Sequence, residues 1–245
     1  MFEKLLDNPE QYRIGGNYRA THIVFPVEFK GKKYVIKKPR TSAVSSLVQS
    51  YYSLQGNKIK NSAKFGLLRE IKQLQKLNGF YSPKIHAFDQ KNPVLVREYL
   101  EGRDFRVLSS DEYIKKTLGG ALKAMQEIHQ RDLIIGDTHV KNTFLTEEDQ
   151  VYWIDFDGVF DEDNITRTKA QDLLKFVYSA YTSTRDRNKT LYAAELVARN
   201  YQQGEVRDNL QELVNSLEPG FRLWFQTRLP LDGKIHREIT MILSR

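Results

Sequence analysis

Two stretches decide the fold: Ile135-Gly136-Asp137-Thr138-His139-Val140-Lys141-Asn142 and Val151-Tyr152-Trp153-Ile154-Asp155-Phe156-Asp157-Gly158. Asn142-Thr143-Phe144-Leu145 and Val151-Tyr152-Trp153-Ile154 are short runs rich in β-branched and aromatic residues. Thr146-Glu147-Glu148-Asp149-Gln150 between them is turn-like. The pattern predicts a β-hairpin. A hairpin brings its open ends together, so Asn142 and Asp155 are expected side by side, facing one site. Upstream, Ile114, Leu118, Ala121, Leu122, Met125 and Ile128 recur at helical spacing, which predicts a helix that delivers the Asp137 loop. An Asp at a strand end is ordinarily turn chemistry. The combination of helix, loop Asp, Asn, hairpin and Asp-Phe is far more specific than any of its parts.

A chain of 245 residues suits one large domain or two lobes sharing a cleft. Hydrophobic content of 40% and charged content of 28% are those of a globular protein. There is no cysteine, which excludes disulfides, thiolate metal sites and cysteine nucleophiles. No apolar stretch is long enough to span a bilayer, and Met1-Phe2-Glu3-Lys4-Leu5-Leu6-Asp7 lacks a signal-peptide pattern. A cytoplasmic location is therefore expected.

Net charge is +7 and the pI is about 9.3. The excess is uneven. Lys30, Lys32, Lys33, Lys37, Lys38 and Arg40 crowd one segment, followed by Lys58, Lys60, Lys64, Arg69, Lys72 and Lys76. Such lysines commonly form a solvated face, yet a field of this sign also attracts anionic glycan, lipid or nucleic acid. Glu147, Glu148, Asp149, Asp155, Asp157, Asp161, Glu162 and Asp163 make the other end of the pattern acidic, where cations would collect.

Strand-like runs occupy Ala20–Phe25, Val27–Lys30 and Tyr34–Lys37, with a turn at Gly31-Lys32-Lys33. Thr41 to Leu77 reads as largely helical, with a break near Gly56-Asn57. Pro83–Phe88 and Val94–Tyr99 are the next strands. After Gly102 the chain reads as mostly helical apart from the hairpin. The division expected is a small β-rich lobe over 1–98 and a mostly helical lobe over 99–245, an α+β fold.

Period-two geometry puts Val35 and Lys37 on one face of their strand. In Phe65–Leu77, Leu67, Leu74 and Leu77 lie on the helical face of Glu70. A carboxylate on an apolar stripe needs a partner, because burying a lone charge is costly. Lys37 is the candidate partner; the alternative is a stripe edge with Glu70 exposed. Asp172 is read as beginning the apolar helix Leu173–Tyr178, either bracing the Asp137 loop or serving as a helix-start residue. Arg13-Ile14-Gly15-Gly16-Asn17-Tyr18-Arg19 is either a loop exposing backbone N–H groups or a plain tight turn.

These motifs together resemble the protein-kinase-like superfamily over roughly residues 13 to 180. The chain is most similar to its small atypical branches: lipopolysaccharide-core and Kdo sugar kinases, RIO kinases, the KEOPS-complex kinase and aminoglycoside phosphotransferases. The resemblance implies a bilobal fold that binds ATP and Mg²⁺. It makes Asp137 the catalytic base, and Asn142 and Asp155 metal ligands, with Asp157 adding a metal contact. It makes Lys37 and Glu70 the phosphate-anchoring pair. Gly15 and Gly16 would meet phosphate, and backbone groups around Glu98 and Leu100 would meet adenine. His139 would act near the transferred phosphate, with a structural loop histidine as the alternative.

Four departures shape the expectation. Ile135 stands where the catalytic-loop His would be, and Gly136 where Arg would be. Asp157 replaces the Gly of D-F-G, as in lipopolysaccharide kinases. The interval from Asp155 to Asp172 is short and has no A-P-E motif. The expected activity is phosphate transfer to a hydroxyl acceptor of sugar or lipopolysaccharide type. The alternatives are an atypical Ser/Thr protein kinase and a nucleotide-binding pseudokinase serving as an interaction module. The basic, aromatic Phe221-Arg222-Leu223-Trp224-Phe225 with Arg228 suggests either contact with the inner membrane face or nucleic acid, or core packing of the final helices.

Overall fold

The computed structural model describes residues 2–18, 22–40, 63–158, 161, 163–202, 204–216 and 233–244. The architecture is α+β, with antiparallel sheets and several helices. The chain divides into two compact units. The first is Met1–Glu101 with Ile154–Val159, and the second is Gly102–Trp153 with Phe160–Arg245. The helical reading of 41–62, lysines 58 and 60 within it, and the basic-aromatic stretch of 221–228 lie outside the described residues.

The first unit opens with α1 (Glu3–Asp7) and a 3₁₀ turn (Pro9–Tyr12). Strands β1 (His22–Phe29) and β2 (Lys32–Pro39) form a hairpin. Helix α2 (Ala63–Leu77) follows, then β3 (Ile85–Asp89) and β4 (Val94–Glu98). The sheet order is β1-β2-β4-β3, antiparallel throughout. The two expected strands around Pro26 are one continuous strand. Proline is tolerated there because β1 is an edge of the named sheet, so the absent N–H breaks little. The turn falls on Lys30-Gly31, both at positive φ (53° and 72°), one step earlier than expected. That conformation matches the twist of a two-residue hairpin.

Register assigns the two sheet faces. Phe25 pairs Ile36 and Ile36 pairs Val96, so these three share a face. That face holds the buried cluster of Leu5, Phe25, Val27, Phe29, Tyr34, Ile36 and Val96, with Phe2, Leu6 and Tyr12 packed against it. Lys37 pairs Val24 and Leu95, and Val35 pairs Arg97. Lys37 and Arg97 therefore share the opposite face.

In the second unit, β5 (Gly102–Asp104), β6 (Thr143–Thr146) and β7 (Val151–Trp153) form a small antiparallel sheet in that order. The expected hairpin is β6–β7, with Thr143 opposite Trp153 and Leu145 opposite Val151. Strand β5 was not anticipated: Gly-Arg-Asp carries almost no strand propensity and joins through its backbone. Helix α3 (Asp111–Gln130) is capped by Ser110, whose hydroxyl accepts from Tyr113 N–H. Its read stripe, Ile114, Leu118, Ala121, Leu122, Met125 and Ile128, is buried. The Trp153 indole N–H donates to the Ala121 carbonyl at 3.1 Å, joining hairpin to helix.

Helix α4 (Ile165–Thr184) starts well before Asp172, which is a correction to the helix start placed there. The cap is Asn164, whose side chain accepts from Arg167 N–H. Buried Thr168, Lys169, Asp172 and Ser179 interrupt its apolar period, which hid the first turns. Helices α5 (Arg187–Asn200), α6 (Glu205–Ser216) and α7 (Gly233–Leu243) follow among the described residues. Among the described residues, no helix is long and apolar enough to cross a membrane.

Gly102 sits at φ 140°, and a β-carbon there would lie 2.2 Å from the Leu145 carbonyl oxygen and 2.7 Å from Thr146 Cα. Backbone cannot move aside cheaply. Gly102→Ala is expected to cost about 2–3 kcal/mol in urea unfolding. A midpoint indistinguishable from wild type would show that the β5–β6 pairing is not held as described.

Candidate functional site

The candidate residues fall into two groups, one in each unit. In the first unit the sheet face carrying Lys37 meets the stripe of α2 carrying Glu70. Both side chains are buried, at 1% and 0% exposure, and they form an ion pair. The Lys37 ammonium also donates to Asp155 Oδ1 at 2.6 Å and to Asp157 Oδ2 at 3.0 Å. Asp155 is buried and Asp157 partly buried, both delivered by the segment Ile154–Val159.

Arg97, also buried, donates to the other oxygen of Glu70 (Oε1) at 3.1 Å and to the Ile154 carbonyl at 2.5 Å. Glu70 is thus shared between two cations, one per oxygen. Arg69 reaches the Asp157 backbone carbonyl at 3.1 Å. His22, at the start of β1, is 4% exposed. Its Nε2 lies 3.0 Å from the Ala63 carbonyl, and its Nδ1 3.3 Å from Asp157 Oδ2.

Electrostatics follow from that geometry. Burial opposes the charge on Lys37, but Asp155, Asp157 and Glu70 outweigh it and raise its pKa above the ordinary lysine value. Burial pushes the Glu70 carboxyl up, against the pull of Lys37. The two directions are compatible because three carboxylates face two buried cations. Lys37 keeps its proton, and the surplus negative charge weighs on the deepest carboxyl. Burial, then Lys37, lowers the pKa of His22 and favours its neutral ring.

In the second unit the loop Ile134–Asn142 lies along α4. Asp172 accepts from Ile135 N–H at 3.0 Å and from Gly136 N–H at 3.1 Å. Thr138 Oγ1 donates to the Asp172 carbonyl at 2.6 Å, and Lys175 to the Gly136 carbonyl at 2.9 Å. Val140 N–H donates to Ser179 Oγ at 2.9 Å. Gly136 has φ 82°, a backbone state where a side chain costs about 1–2 kcal/mol.

The loop ends in a 3₁₀ turn over Val140–Asn142. There the Asn142 amide donates to Asp137 Oδ2 at 2.8 Å and to its carbonyl at 3.0 Å. Asn142 is 0% exposed, and its Oδ1 has no hydrogen-bond partner among the described residues. An unsatisfied buried acceptor costs about 1–3 kcal/mol, and a cation would satisfy it. In the first unit, Glu70, Asp155 and Asp157 bring carboxylate oxygens within 4.8 Å of one another, hard donors of the kind a divalent cation takes.

The remaining site residues are placed as follows. His139 is buried, with Nε2 3.1 Å from Thr182 Oγ1 and Nδ1 3.5 Å from Ser183 Oγ. The Thr182 hydroxyl also bonds the Ser179 carbonyl, which can only accept, so that hydroxyl accepts from His139. His139 thereby ties the loop to α4. Ile135 is fully buried, and His129 of α3 reaches Asp172 with Nε2 at 3.3 Å.

Residues 13–18 run along β1, through an Arg13–Val27 bridge and bonds Ile14 N–H to Pro26 O and Tyr18 N–H to Val24 O. A β-carbon on Gly15 would meet Pro26 Cγ at 2.8 Å, a packing reason for glycine; nothing lies within 4 Å of one on Gly16. Glu98 N–H bonds the Lys84 carbonyl at 2.8 Å. Leu100 follows in irregular backbone.

Arg97 as the second partner of Glu70, and His22 beside Asp157, were not legible in the sequence. Only the strand register places Arg97 beside Lys37, and an isolated strand histidine carries no sequence signal. Compared with known proteins, the chain matches no protein-family model and no curated protein.

Asp172→Ala would leave two loop N–H groups without acceptors. It is expected to lower stability by about 3 kcal/mol, read by urea unfolding. A change under about 0.5 kcal/mol would mean the loop does not depend on Asp172.

Proposed function

We propose that the protein is an ATP-dependent phosphotransferase of the two-lobed, protein-kinase-like class, acting on a hydroxyl acceptor of sugar or lipopolysaccharide type. The observation that carries the reading is the buried Lys37, bonded at once to Glu70 of α2 and to Asp155 after β7. Those three residues are far apart in the chain, and the resemblance selects each of them independently. A full burial of lysine with carboxylates contributes little net stability, so a functional use is the better account.

In this reading Lys37 anchors the α- and β-phosphates of ATP while Glu70 keeps its ammonium in place. Arg97 holds Glu70 by its second oxygen, so Glu70 stays fixed when Lys37 turns to phosphate. Asp137 orients the acceptor hydroxyl and receives its proton on a carboxylate oxygen. The Asn142 amide bonds Asp137 Oδ2 and limits how that carboxylate can turn. The resemblance assigns Asn142, Asp155 and Asp157 to Mg²⁺, which when bound would neutralise charge on the phosphates. The D-F-D sequence, the short interval to Asp172 and the basic small lobe favour a glycan or lipid-glycan acceptor over protein.

A pseudokinase is the second reading, and Gly15 favours it. Its lack of a side chain is explained by Pro26 without any phosphate.

The test is transfer from γ-labelled ATP with Mg²⁺ into a host extract, separated into protein, lipid-glycan and small-molecule fractions. Label is expected in the lipid-glycan or small-molecule fraction. Asp137→Ala should reduce it by about 10²–10⁴-fold while sparing nucleotide binding. Undiminished transfer by that variant would remove Asp137 from the chemistry. Label confined to protein would instead select an atypical protein kinase, and ATP binding without transfer would select the pseudokinase. Asp155→Ala is expected to abolish Mg²⁺-dependent ATP turnover; unchanged turnover would refute its metal role.

A further inference from the structure

The carboxylates of Asp155, Asp157 and Glu70 lie within 4.8 Å of one another. A second observation at the same place concerns His22. The Ala63 carbonyl can only accept, so the ring nitrogen 3.0 Å from it, Nε2, carries the hydrogen. In the singly protonated ring, Nδ1 then presents a lone pair. It is buried, makes no hydrogen bond among the described residues, and faces Asp157 Oδ2 at 3.3 Å. Two lone-pair atoms turned toward each other in a buried place are unfavourable unless a positive species joins them.

Ring protonation would supply one, but Lys37 already brings an ammonium to the same oxygen at 3.0 Å. A metal ion is the other. Ligands about 2.0–2.2 Å from an ion and at right angles are about 3 Å apart, close to the Nδ1–Oδ2 separation.

We propose that His22 Nδ1, Asp157 and Asp155 form a site for a divalent transition-metal cation of the Mn²⁺ class. The imidazole is the discriminating ligand. Mg²⁺ keeps to oxygen, whereas mixed nitrogen and oxygen donors suit manganese, iron, cobalt and zinc. Lys37 holds both aspartates in their absence of metal and must release them when metal binds. It keeps Glu70, which Arg97 anchors separately. The Ala63 carbonyl fixes the ring so that Nδ1 faces inward, the usual arrangement for a ligating histidine. The inference shares two carboxylates with the phosphotransferase reading, but requires neither nucleotide nor transfer.

The experiment adds Mn²⁺ alone to the full-length protein and measures electron spin-echo modulation from directly bound ¹⁴N. Modulation of an imidazole nitrogen is expected in wild type and lost in His22→Gln. Asp157→Asn should weaken Mn²⁺ binding at least about tenfold. Bound Mn²⁺ without ¹⁴N modulation, modulation that persists in His22→Gln, or no Mn²⁺ binding would each overturn the site. If His22→Gln does not fold, the wild-type spectrum and Asp157→Asn still decide it. Failure of this site leaves Mg²⁺-dependent transfer to be judged by labelling. A confirmed site without any transfer would instead remove only the phosphotransferase reading.

Discussion

A buried ammonium group, that of Lys37, constrains the first unit more than any other group in it. Lys37 is enclosed almost completely, and an isolated charge in such a place is prohibitively costly. Two separate pieces of chain answer it, the inward stripe of α2 and the segment after β7, while the register of β2 against β4 brings Arg97 to the second oxygen of Glu70. Removing one partner from a buried ion pair typically costs about 3–5 kcal/mol, although replacing the whole pair by apolar groups is often neutral or better. The cluster is therefore a constraint on structure more than a source of stability. Each carboxylate has to arrive with its own geometry, and Arg97 keeps Glu70 from depending on Lys37 alone.

The second unit solves a different problem. The loop that carries Asp137 is irregular in backbone yet fixed in position. Its N–H and carbonyl groups cannot pair with a neighbouring strand, so side chains of α4 receive them. Asp172 takes two N–H groups, Lys175 takes a carbonyl, and Ser179 takes a third N–H. The helix behaves as a substitute sheet edge made of side chains. That explains why α4 carries buried polar residues where a packing helix would carry leucines.

Much of this was legible in the sequence because it is local. The β6–β7 hairpin and the stripe of α3 follow from patterns within a few residues of each other. The Lys37–Glu70 contact also followed from a single physical argument, that a carboxylate on an apolar stripe needs a cation. What stayed hidden depends on register or on backbone. Arg97 joins the cluster only because Val35 pairs with it across the sheet. His22 belongs there only because β1 begins beside α2. Strand β5 is recruited by hydrogen bonds that any three residues could make, provided the first has no side chain. The start of α4 was masked by buried Thr168 and Lys169, which interrupt its apolar period.

The segment Ile154–Val159 belongs to a unit whose other residues all precede Gly102. During synthesis the ribosome therefore releases the first hundred residues before their electrostatic complement exists. Until Asp155 and Asp157 emerge, Lys37 and Arg97 share Glu70 alone among the carboxylates of the cluster. Completion of the buried charge cluster is deferred until β7 has been made. Domains generally fold N-terminal part first during synthesis; here the buried cluster of that part waits for a carboxylate segment that follows directly from a hairpin.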